Sequence, residues 1–216
     1  MPPTLVNVAF GVLVGVALLG AAFDRRSIAV VALAAAAPDL DAVGAAVGIG
    51  AANATLHSVF VPALAAGVLY YETTLRERSV LRERYGWYGV RVAWVAIAAY
   101  AVAGIAPDLF STESVALLYP LSDRYYAVVG RFLLSTQEGI VQSYFEFGDG
   151  WIGLATPGTV ETHHVDTWLD PDPEGDGERR LRLIESGWQA IVVLTAAVAV
   201  PAKARIERRD RAEEGR

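Results

Sequence analysis

The apolar residues of this chain come in long blocks separated by charged loops, and that pattern restricts the fold more than any other feature. A bilayer-crossing helix needs roughly 20 mainly apolar residues, and five stretches of the 216-residue sequence approach that length. Residues 5–22 carry no charge. Residues 27–52 are apolar except at Asp39 and Asp41. Residues 54–71 hold His57 one turn from their start, and residues 90–109 have Arg91 at the entry and Asp108 at the exit. Residues 187–201 are short for a span and are expected to borrow 181–186 or to insert only in part. The expected fold class is therefore all-α: a polytopic integral membrane protein of about five transmembrane helices with an acidic extramembrane segment.

Composition agrees. Hydrophobic residues make up 54% of the chain and charged residues 19%, where soluble domains carry about 25% charge. This excludes a disordered chain, a collagen-like repeat and a disulfide-stapled module. With no cysteine, any metal must be held by His, Asp, Glu or backbone oxygens. Of 18 cationic residues only Lys203 is a lysine, and the net charge is −6. Arginine usage with acidic excess fits life in high salt, and a GC-rich genome produces the same bias. The acidic balance argues against nucleic acid as a partner.

Three parts follow: residues 1–109 with the first four spans, an acidic extramembrane segment at 110–184, and a final span with a basic tail at 185–216. The middle part carries twelve acids against five arginines. Within it, 127–147 reads as an amphipathic helix lying on the membrane, 149–168 as turns and short strands, and 170–178 as a mobile acidic linker. Counting Lys and Arg in the loops orients the protein in the cell membrane with the N-terminus outside and the C-terminus cytoplasmic. Segments 23–27, 72–91 and 202–216 then hold 13 cations inside, against 5 outside. Arg179, Arg180 and Arg182, just outside the last span, cut the other way. The first span lacks a basic leader, which disfavours a cleaved signal peptide, although Gly20-Ala21-Ala22 resembles a cleavage site.

Ionisable residues within such blocks are costly, about 2.5–3.5 kcal/mol for an aspartate at a helix centre. Pro38 removes a backbone donor just before Asp39 and Asp41, so the helix is expected to kink or end there and present both carboxylates to a cavity. The alternative is a wetted hairpin loop after Ala37. His57 on an apolar helix is either a satisfied core residue or a ligand. Asp108 either joins the same site or caps a turn led by Ser111-Thr112-Glu113. His163 and His164 are adjacent; in a strand they point to opposite faces, so at most one joins a given site, and a plain surface pair is the other reading. Carboxylates with imidazole suit zinc or manganese, and a metal with an open position lowers the pKa of water and yields hydroxide at neutral pH.

These residues, in this order, resemble the YdjM type of membrane-bound metal-dependent hydrolases, some described as LexA-binding, inner-membrane-associated proteins. The resemblance rests on Ala37-Pro38-Asp39-Leu40-Asp41, on His57-Ser58, and on Asp108-Leu109-Phe110-Ser111-Thr112 leading to Leu118-Tyr119-Pro120, and covers about residues 5–125. That family is in turn similar to the zinc-dependent phospholipase C and single-strand nuclease group. The resemblance implies a divalent metal, zinc or manganese, held by Asp39, Asp41, His57 and Asp108, with His163 or His164 as a further ligand. It implies hydrolysis of a phosphoester; a site that opens at bilayer depth also suits a lipid-like substrate, and the spare carboxylate, Asp41 or Asp39, is the expected general base. Two positions depart from the family pattern: Asn7 and Gly104 stand where the family usually has histidine. Either His163 or His164 replaces one of them, or the site binds metal weakly, or activity is lost. The competing readings are a non-catalytic membrane protein that binds a protein partner through 110–184, and an ion-coupled transporter.

Overall fold

The computed structural model describes residues 3–111, 113–128, 132–137, 139–142, 156–163, 165, 167 and 182–214. In chain order the helices are α1 (Thr4–Leu18), α2 (Arg25–Ala36), α3 (Asp41–Ala46), α4 (Phe60–Tyr70), α5 (Val80–Ala99), α6 (Ala106–Leu109) and α7 (Gly187–Glu214). One antiparallel hairpin, β1 (Phe132–Ser135) with β2 (Gly139–Gln142), joins them, with Phe132 opposite Gln142 and Ser135 opposite Gly139. The residues gather into two compact units. One comprises Pro3–Pro38, Val59–Gly104 and Arg182–Arg216; the other comprises Asp39–Ser58 and Ile105–Leu181.

The first unit is helical. The Asp24 carboxylate accepts from the Arg26 and Ser27 amides at 2.7 and 2.8 Å, and the Ser27 hydroxyl accepts from the Asp24 amide, so a reciprocal cap starts α2. Ser79 caps α5 by accepting from the Arg82 amide at 3.1 Å. The Glu72 carboxylate accepts from the Ser79 hydroxyl at 2.8 Å and from the Leu81 amide at 3.0 Å, and these bonds hold its pKa below the ordinary value. α1 packs on α2, α5 and α7, and α4 packs on α5. The core is Leu19, Phe23, Val31, Ala35, Val92, Val95, Ala99 and Ala103. Small residues let the backbones close in: a Cβ on Gly11 would collide with the Ala35 methyl, and one on Gly104 would lie 2.7 Å from Pro38 Cγ and 2.9 Å from the Ala35 carbonyl oxygen.

The spans differ from those expected. Among the described residues two helices are long and apolar enough to cross a membrane, Val80–Leu109 and Gly187–Arg209. Arg25–Ala36 and Pro38–Ala46 pass as a third only if read together across their bend. Five transmembrane helices are therefore not what the described residues contain: α1 has 15 residues and α4 only 11. The chain at 51–59 forms turns instead of helix, because Asn53 is left-handed (φ 51°) and the Ala54 amide bonds to Asp41. α5 begins at Val80, ten residues before the expected fourth span, with Gly86 (φ 63°) breaking its regularity. A π-helical segment, Tyr100–Ile105, links α5 to α6. α7 gains its length on the C-terminal side, running through Pro201.

The second unit also departs from expectation. The 127–147 stretch holds the β hairpin where an amphipathic helix was expected; Phe132-Leu133-Leu134 and Ile140-Val141 flank polar residues, a pattern that suits two short strands and a turn. The acidic linker 170–178 lies outside the described residues.

Candidate functional site

Pro38 has no amide hydrogen to donate, and after Ala36 the chain leaves α2 for a 3-10 turn, Pro38–Leu40, before α3. Within the second unit this turn and α3 carry Asp39 and Asp41, the turns at 51–58 carry Asn53 and His57, and α6 carries Asp108. All five side chains are buried, and those of Asn53, His57 and Asp108 are wholly enclosed.

His57 sits at the centre. Its Nδ1–H donates to Asp41 Oδ2 at 2.8 Å, and the same oxygen accepts from the Ala54 amide at 3.2 Å. Its Nε2 stands 3.2 Å from Asp108 Oδ2 and 3.7 Å from Asp39 Oδ1. The Asn53 amide group donates to Asp108 Oδ1 at 3.3 Å and to the Ser114 carbonyl at 3.0 Å. Both of its partners are acceptors, so the amide orientation is fixed. Asp108 is therefore held through one oxygen while the other faces His57. Among the described residues its side chain takes no capping bond from a following turn; the chain turns at Ser111 and Ser114, and Ser114 is left-handed (φ 61°).

The segments that carry the family resemblance meet here. The Ser58 hydroxyl donates to the Tyr119 carbonyl at 2.6 Å, which ties His57-Ser58 to Leu118-Tyr119-Pro120. The Tyr125 hydroxyl donates to the Ala52 carbonyl at 2.6 Å. Burial, with the Asp41 charge nearby, pushes its pKa up, so it remains a neutral donor. His163 is placed elsewhere: its Nε2–H points to the Glu113 carbonyl at 3.0 Å and lies 3.1 Å from Ser114 Oγ, and its ring packs edge-on against Tyr125 with centroids 5.0 Å apart. His164 lies outside the described residues. A cavity of about 140 Å³ opens between Ala45, Ala52, Tyr125, His163 and Val165. It is below the roughly 300–1,000 Å³ of organic-ligand pockets and suits water or a small ion.

Four buried atoms of the cluster have no hydrogen-bond partner among the described residues: Asp41 Oδ1, Asn53 Oδ1, His57 Nε2 and Asp108 Oδ2. His57 Nε2 and Asp108 Oδ2 face each other as an ion pair at 3.2 Å, while leaving an atom such as Asp41 Oδ1 or Asn53 Oδ1 unmet costs about 1–3 kcal/mol. Among the described residues no three His, Asp or Glu side chains stand in a ready-made metal shell; His57 is instead in ion-pair contact with all three acids. Carboxylate and imidazole are nevertheless donor types that divalent cations accept. Two ligands of one tetrahedral zinc lie about 3.4 Å from each other, and the Nε2 distances to Asp108 and Asp39 are 3.2 and 3.7 Å.

Asn53 is the residue that sequence reasoning missed. An asparagine among small residues reads as a turn former, and only its contact with Asp108, 55 positions away, reveals its place. Asn7 and Gly104 belong to the helical unit, where Asn7 is fully buried and Gly104 is packed against Pro38 and Ala35. With the backbone as it stands, position 104 has no room for an imidazole.

Apolar helices of crossing length and a buried acid–imidazole cluster together define a helical membrane protein with an ionisable interior. The chain belongs to the YdjM inner membrane protein family, whose model matches residues 1–161. That match runs beyond residue 125, where the motif resemblance ends, and stops two residues before His163. No curated protein and no solved structure matches the chain.

Proposed function

We propose that this protein is a multi-pass, membrane-bound, divalent-metal-dependent hydrolase acting on a phosphoester or lipid-like substrate. The observation that carries the reading is the buried cluster around His57, in which Nε2 faces both Asp108 and Asp39 and four polar atoms make no hydrogen bond among the described residues. His57 Nε2, Asp108 and Asp39 would hold the cation, zinc or manganese. Asp41 fixes the imidazole through Nδ1, as carboxylates do behind metal-binding histidines, and Asn53 fixes Asp108. When bound, the ion supplies Lewis-acid polarisation and acidification of water. Of the two candidate general bases, Asp41 stands behind Nδ1, whereas Asp39 is on the Nε2 side of the ring, so Asp39 would be the group that accepts a proton from water there. A lipid-like substrate is supported by α3 and the residue after it: Asp41 is buried while Val43 and Val47 are 50% and 66% exposed.

The N-out, C-in orientation is supported by the way the helical unit gathers its cations. The Tyr88 hydroxyl donates to Asp24, and Arg91 Nε donates to the Leu18 carbonyl at 2.8 Å. The 23–28 turn also shares a cavity with 200–208. The three segments counted as inner by their Lys and Arg content thus have residues at one end of the unit.

Metal content of detergent-purified protein by mass spectrometry, wild type beside His57→Ala and Asp108→Ala, tests the reading. The expected result is near-stoichiometric zinc or manganese that falls in both variants. No bound metal after purification with both ions added would sink it. A second reading, a non-catalytic membrane protein that binds a protein partner through 110–184, is favoured by Gly104, whose packing excludes the family's usual histidine.

A further inference from the structure

The helical unit carries a second cavity, about 310 Å³, between the start of α2 and the end of α7. Phe23, Ile28, Val200 and Ala204 make its apolar wall, and four charged residues make the rest of its lining. Two of those are acids that are already engaged. The Asp24 carboxylate takes the α2 amides and the Tyr88 hydroxyl, and Glu207 pairs with Lys203 at 2.9 Å. The other two are Arg25 and Arg208, both exposed, and neither guanidinium has an ion-pair or hydrogen-bond partner among the described residues. Each is thus a full positive charge beside an apolar recess.

The recess lies where a membrane protein meets headgroups. The apolar run of α7 gives way to charge at Lys203, and α2 begins at Arg25. Tyr88, bonded to Asp24, comes from Tyr85-Gly86-Trp87-Tyr88, and tyrosine and tryptophan collect at the interfaces of bilayers. Below this level α7 turns Ile191, Leu194 and Val198 outward, each between 66% and 69% exposed, as a surface for acyl chains. Arginine binds phosphate through two parallel N–H donors, and basic pockets between membrane helices on the cytoplasmic side bind anionic headgroups.

We propose that this cavity binds the headgroup of an anionic phospholipid, with Arg25 and Arg208 on the phosphate and the glycerol backbone against Phe23, Ile28 and Val200. A volume of about 310 Å³ is near the lower limit of ligand pockets and suits a headgroup with its glycerol, the chains running outside along α7. The site is independent of the His57 cluster, so it stands or falls without the hydrolase reading.

The test is native mass spectrometry of the full-length protein given equal amounts of phosphatidylglycerol and phosphatidylcholine with the same acyl chains. The wild type is expected to retain phosphatidylglycerol in preference by about tenfold or more, the scale two arginines produce at an anionic surface. Arg25→Gln with Arg208→Gln abolishes the preference, while Arg205→Gln with Arg209→Gln, equal in charge change but away from the cavity, keeps it. Melting of each variant in phosphatidylcholine checks its folding, with Arg208→Gln alone in reserve. Equal retention of the two lipids by the wild type, or an unchanged preference in the Arg25/Arg208 variant, overturns the proposal. Inorganic phosphate raising the melting temperature as much as phosphatidylglycerol overturns it too, in favour of a soluble anion.

Discussion

The two units bury opposite kinds of group. In the helical unit the interior is made of Leu, Val, Phe and Ala, and helices approach until glycine is the only residue that fits at Gly11 and Gly104. In the smaller unit the buried apolar cluster among the described residues is Ala52, Ala54, Ala116, Tyr125 and Val165, and beside it three carboxylates, an imidazole and an amide are enclosed. Shape holds the first; the second depends on each polar group meeting another. A close-packed apolar interior tolerates volume-conserving change, whereas a polar cluster fails when one member is removed, because the rest are left buried and unmet.

The contrast is broken most directly at Asp41. Asp41→Ala strips His57 Nδ1 and the Ala54 amide of their acceptor, and loss of one partner from a buried ion pair costs about 3–5 kcal/mol. Thermal unfolding in detergent followed by tryptophan fluorescence reads this, and a change within error of zero would mean that water reaches the cluster. Next comes Gly104→His, which restores the family's usual residue. Overpacking costs about 1–3 kcal/mol, so a clear drop in melting temperature is expected, and an unchanged one would show that Gly104 is less tightly held against Pro38 and Ala35 than the 2.7 Å left for an added Cβ implies. The smallest effect is at Glu72. Its folded-state pKa is lowered, chiefly by the Leu81 amide and also by Ser79, so its contribution is present above the ordinary value of 4.5 and is lost as the pH falls below it. Wild type and Glu72→Gln are therefore expected to differ in melting temperature at neutral pH and to converge in acid; a constant gap would remove the carboxylate's role in holding Ser79 and α5.

Part of this architecture is legible in the sequence. Pro38 predicts the interruption of the second apolar block because a missing amide hydrogen is a local fact, and the block does end as α2 at Ala36. Asp39, Asp41, His57 and Asp108 carry charge where apolar residues surround them, and burial singles them out in the sequence as it does in the fold. What stays hidden depends on contacts distant along the chain. His57 precedes α4 instead of sitting within it, because Asn53 and Ala54 bond to Asp108 and Asp41 and not to their own helical turn. Pro201 reads as a terminus, yet α7 continues through it for another thirteen residues. A proline inside a helix removes one hydrogen bond, a local loss that does not by itself end the helix.

Asn53 and Ser114 are the two residues other than glycine with positive φ among those described, at 51° and 61°. The Asn53 side chain holds Asp108, and the Ser114 carbonyl holds Asn53. Glycine would relax the backbone at either place. A chain selected for stability alone would drift toward glycine at both; at position 53 that drift would leave a more comfortable backbone and an Asp108 free to swing away from His57. The least relaxed points of this protein and its most chemically loaded cluster are thus the same few residues, so a gain in robustness there is a loss of aim.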